Sequence, residues 1–117
     1  FALGSIHLQI AQPRTPCWKI DARCGVEGVA AHVAEHGLAG WYFRVLEPGE
    51  CSAGDVLTHV KRLPGAVSLA RFNHSLREAR PSLQLLDLLA SAPGLTPDWV
   101  RKIRSRIDWL QNNKDAV

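Results

Sequence analysis

Methionine is missing from all 117 residues and the chain opens on Phe1, so we expect further residues upstream of this start. Phe1–Leu8 lacks the basic stretch and the long apolar stretch of a secretory signal peptide. No apolar run approaches the roughly 20 residues that span a bilayer, which argues against a transmembrane helix and a membrane partner. There is no CxxC pair, and the three cysteines (Cys17, Cys24, Cys51) are an odd number. A disulfide framework wants an even count, so a reducing, cytoplasmic setting is expected. A strong charge of one sign is also lacking. The formal net charge is +3, which suits an anionic ligand, although ordinary surface lysines and arginines explain it equally well. Repeats and low-complexity tracts are absent. Apolar residues at 46% against charged residues at 21% exclude a disordered chain.

Two patterns divide the chain near Pro64-Gly65. In residues 1–64, Ile6, Leu8 and Ile10 alternate with His7 and Gln9, as in a half-buried strand. Gly40–Leu46 is an aromatic and β-branched run that ends at the turn sequence Glu47-Pro-Gly-Glu50. Val56–Val60, after Gly54-Asp55, reads as a third short strand. Between the first two strands, Val29–His36 reads as one short helix closed by Gly37. Short strands with one helix point to part of a β-barrel or a curled sheet. Residues 65–117 switch to helical signals. Ser68 caps a helix over Leu69–Arg77, and Pro81-Ser82 opens a leucine-rich one. Thr96-Pro97-Asp98 offers a capping hydroxyl, a first-turn proline and an acid at the positive end of the helix dipole. The third helix carries Trp99, Ile103, Ile107 and Leu110 on one stripe. The expected class is α+β, with packing through Leu85, Leu86, Leu89, Ile103 and Ile107 in a three-helix bundle.

The chemistry gathers in Gln12-Pro-Arg-Thr-Pro-Cys-Trp-Lys19. Two prolines stiffen this loop, and Cys17 lies between Arg14 and Lys19. Nearby cations favour a thiolate, the form of cysteine that binds metals and attacks electrophiles. A thiolate is also the soft ligand that thiophilic metals select. The competing reading is a small buried hydrophobe, as most free cysteines are; for Cys24 and Cys51 that reading is the stronger one.

The string QPRTPCWKIDARCG, followed by GWYFRVLEPGE and by Gly54-Asp55, resembles the second half of a YiiM-type MOSC domain. MOSC denotes the C-terminal domain of molybdenum cofactor sulfurase. Val67, Asn73, Leu85–Leu89, Leu95 and Trp99 resemble the three-helix domain that follows MOSC in that subfamily. The resemblance implies that residues 1–64 are the C-terminal portion of a MOSC β-barrel and 65–117 the three-helix domain. It implies that the first half of the barrel is missing here, as upstream chain or as another polypeptide. It also implies a molybdenum cofactor (molybdopterin), with Cys17 binding the metal or carrying its sulfur. Arg14, Lys19, Arg23 and Arg44 match the family's basic positions and are expected at the cofactor. The implied activity is reduction of small N-hydroxylated compounds such as hydroxylaminopurines, with an electron-donor protein or reductase as partner.

On physical grounds an arginine offers two parallel N–H groups to a pterin phosphate. Alternation along the strand puts Arg44 beside Tyr42, where it lines a cleft or else simply faces solvent. Weaker candidates remain. His32 and His36 lie one helical turn apart, but without the HExxH order or a third ligand they read as helix surface. Trp99 and Trp109 read as core or interface residues. The last two helices also resemble a helix-turn-helix, with Arg101, Arg104 and Arg106 toward phosphates. The low net charge and the interleaved Asp98 and Asp108 argue against that. A non-catalytic cofactor or sulfur carrier is the other alternative.

Overall fold

The computed structural model describes residues 1–114. The order is β1 (Ala2–Leu3), β2 (Ile6–Pro13), α1 (Trp18–Cys24), α2 (Val29–Glu35), β3 (Trp41–Glu47), α3 (Leu69–Arg77), α4 (Leu83–Ala90) and α5 (Pro97–Asn112). The expected α+β class is the one observed. The strands form one antiparallel sheet in the order β1-β2-β3. Gln9 pairs with Arg44, Ile10 with Phe43 and Pro13 with Trp41. The ladder slips between Ile10 and Gln12, leaving Ala11 without a partner on β3. Such a bulge turns a backbone group out of the ladder.

Two expectations about the first half fail. Val56–Val60 is not a strand: Thr58 makes a single bridge to Ala2, and Val56 is 76% exposed. The third strand is instead Ala2–Leu3, joined to β2 by a turn in which Gly4 takes a φ of 58°. Second, two helices rather than one separate β2 from β3. α1 starts inside what the two prolines had marked as loop, and Gly25 ends it at φ 68°, its N–H donating to Asp21 O. Seven residues are too short to show a helical period.

The helical half follows its caps. Ser68 and Ser82 accept from the backbone N–H of Arg71 and Leu85, each at 3.1 Å. The core is Phe72, Leu86, Leu89, Ala90, Ile103, Ile107 and Leu110, with Trp99 packed edge-on to Phe72. Leu85 is a correction, for it is only half-buried and stands outside this cluster, whereas the expected Leu86, Leu89, Ile103 and Ile107 all belong to it. Trp109 is exposed beneath the Arg80 guanidinium.

Candidate functional site

The site candidate is the junction between β2 and α1. Pro13 ends β2 and is buried, and the Arg14 backbone N–H donates to Gly40 O at 2.9 Å, extending the ladder one residue past the strand. Cys17 occupies the N-cap position of α1 in extended conformation (φ −137°, ψ 170°), with no side-chain cap bond. Its half-buried thiol instead receives Arg14 Nη2 at 3.8 Å. Arg14 and Cys17 are three residues apart, so the tight loop between Pro13 and α1 is enough to bring them together. Lys19 and Arg23 are four apart on α1, hence on one face, and both are exposed. Trp18 is 71% exposed beside Cys17.

Asp21 stabilises this arrangement and was not read from the sequence. Its Oδ1 accepts the Ala30 N–H at 2.7 Å and its Oδ2 the Gly28 N–H at 3.2 Å. Asp21 thereby caps α2 from α1, because Gly28 at the N-cap of α2 has no side chain to offer. A capping residue seven to nine positions upstream falls outside any local capping pattern.

Arg44 is placed elsewhere. It is half-buried, and Nη1 donates to Gln9 Oε1 at 3.1 Å and to Gly94 O at 2.9 Å. It therefore ties the sheet to the turn between α4 and α5, rather than standing free beside the exposed Tyr42. Cys24 and Cys51 are exposed, free thiols. The His32 and His36 rings stack at 4.1 Å, and the described residues contain no group of three or more ligands able to hold a metal ion. No helix among them is long and apolar enough to cross a membrane.

Residues 1–58 match the MOSC domain. Over 110 residues the chain is 30% identical to the uncharacterized protein YflK of Bacillus subtilis, a match covering 94% of this chain and 50% of that one. The crystal structure of YiiM from Geobacillus stearothermophilus superposes with a TM-score of 0.84 at 31% identity, covering 91% of this chain and 54% of that one. A reductase of Gibberella moniliformis is 30% identical over 87 residues, 74% of this chain but 16% of that protein. The chain thus spans about half the length of YflK and YiiM. Domain, relatives and fold agree, and the chain belongs to the MOSC family, among the proteins of the YiiM type.

Proposed function

We propose that this chain forms part of a molybdenum-cofactor-binding oxidoreductase that reduces N-hydroxylated compounds, with Cys17 as the ligand to the metal or its sulfur. The observation that carries the proposal is the Arg14 guanidinium on the Cys17 sulfur at the start of α1. The donor set fits the cofactor. A thiol that belongs to no group of three or more metal-ligating side chains among the described residues cannot make a metal site by itself, yet it supplies the one soft protein ligand that a cofactor-borne metal needs. Arg14, Lys19 and Arg23 put three cations on the loop and first helix, suited to an anionic pterin phosphate. Arg44 takes part indirectly, since its Nη1 is committed to Gln9 and Gly94.

When bound, the cofactor supplies two-electron exchange. The net reaction breaks an N–O bond: a hydroxylamine takes two electrons and two protons and leaves as an amine and water. A donor protein supplies the electrons. Arg14 orients the Cys17 sulfur, while Lys19 and Arg23 neutralise anionic charge at the loop. The three unpaired cysteines accord with a reducing, cytoplasmic compartment. Nucleic-acid binding is disfavoured by the partners of the three arginines it would use: Arg101 pairs with Asp98, Arg104 with Asp87, and Arg106 donates to the Leu76 and Glu78 carbonyls.

The test is Cys17→Ala in protein isolated from a host that makes the cofactor. Molybdenum content by mass spectrometry and pterin fluorescence should fall to background while the circular dichroism spectrum is unchanged. Normal metal content and turnover in the variant would reject the assignment. Metal retention by the parent protein without turnover would favour a cofactor carrier.

A further inference from the structure

Three hydrogen bonds from one turn land on the strand pair that leads into the Cys17 loop. The turn between α4 and α5 presents Gly94 O, which accepts from Arg44 at 2.9 Å. Thr96 N donates to Ala11 O at 3.1 Å, filling the acceptor that the bulge in β2 turned out of the ladder. Thr96 Oγ1 donates to Gln12 Oε1 at 2.9 Å, across 84 positions of sequence. That last bond is made by a hydroxyl that leaves its own helix uncapped. Thr96 is the N-cap of α5, where a threonine hydroxyl normally accepts from its own helix, and here it makes no cap bond. Gln12 is followed by buried Pro13 and then by Arg14, which is held at Gly40 O and faces Cys17.

We propose that Thr96 is a positioning residue for the cysteine loop: through Gln12 it fixes where Arg14 and Cys17 stand, so the helical half sets the geometry of a site it does not itself line. Fixing both neighbours of Pro13, Gln12 by Thr96 and Arg14 by Gly40, leaves the loop one entry direction. The meaning of this for catalysis rests on the cofactor reading above, but the geometry does not. Loop dynamics can be measured without cofactor, so either idea can fail without the other.

The experiment is amide hydrogen exchange, read by mass spectrometry, on Thr96→Val and Thr96→Ser. Valine keeps the branched shape and removes the hydroxyl, whereas serine keeps the hydroxyl. In Thr96→Val the Arg14 amide, held at Gly40 O, should exchange about fivefold faster, the effect of losing one ordinary hydrogen bond. The amides of α3 and α4 should be unchanged, and Thr96→Ser should restore the parent rate. Iodoacetamide labelling of Cys17, measured against Cys24 in the same molecule, should rise in Thr96→Val and in Gln12→Ala alike. A uniform increase across the chain would assign Thr96 a merely structural role. An unchanged rate at Arg14, or no recovery with serine, would also overturn the proposal.

Discussion

Gly94, in the turn between α4 and α5, lies directly against the sheet. Its φ is 81°, in the left-handed region, and a Cβ built there would lie 2.6 Å from Gln9 Nε2 and 2.7 Å from Gln9 Cδ. Gln9 cannot simply step aside, because its Oε1 receives Arg44. Gly94→Ala should therefore cost about 1–2 kcal/mol from the backbone alone, and about 1 kcal/mol more if the Arg44 bond breaks. Urea denaturation measures the sum. In the Gln9→Ala background the alanine should cost less, since the side chain it strikes is gone; equal costs in both backgrounds would show that the clash is unimportant. Residues differ here in how far the sequence discloses them. Arg14 and Cys17 were legible together because they stand three positions apart in a loop stiffened by Pro13 and Pro16. Arg44 was recognised as a basic strand residue, but its partners lie 35 and 50 positions away, and strand alternation says nothing of what is packed on the face.

Among the elements, α4 and α5 hold the helical half together. Leu86 and Leu89 are fully buried against Ile103, Ile107 and Leu110. Leu89→Ala removes most of a core side chain from a site with no solvent exposure and should cost about 2–5 kcal/mol. An unchanged thermal midpoint would contradict the observed register of α4. These helices were legible to within a residue or two because serine caps, proline and leucine spacing all act locally. α1 and the stretch 56–60 were not. The first is too short for periodicity, and the bonds by which its Asp21 caps the next helix follow no local pattern. The second has strand-forming residues, but only Thr58 has a partner strand opposite it. β-propensity records fitness for a sheet, and pairing decides whether one forms.

For the whole molecule, the surface is larger than its mass requires. A compact monomer of 12.9 kDa exposes about 6,300 Å², and this chain exposes 8249 Å². The radius of gyration is 16.9 Å, where about 13 Å is usual for the length. The excess of about 1,900 Å² on one chain is more than twice the roughly 800 Å² that each partner contributes to an interface of standard size, and falls in the range of obligate contacts. It is apolar in character: Trp41, Tyr42, Val45 and Leu46 are exposed on β3, an edge strand of the sheet, and Val56, Leu57 and Val60 on the segment beyond it. Three strands also fall short of the roughly five to eight that close a small barrel. An edge of this kind pairs with whatever strand reaches it, whether from another polypeptide that completes the sheet or from a second copy. The 117-residue chain by itself should accordingly sediment at micromolar concentration as associated species. Val45→Lys, which sets a charge on the exposed edge strand, should shift the distribution toward monomer. A compact parent monomer at that concentration would mean that the three-stranded sheet is sufficient as it stands, and the excess surface would then be a tolerated property of the fold rather than an interface.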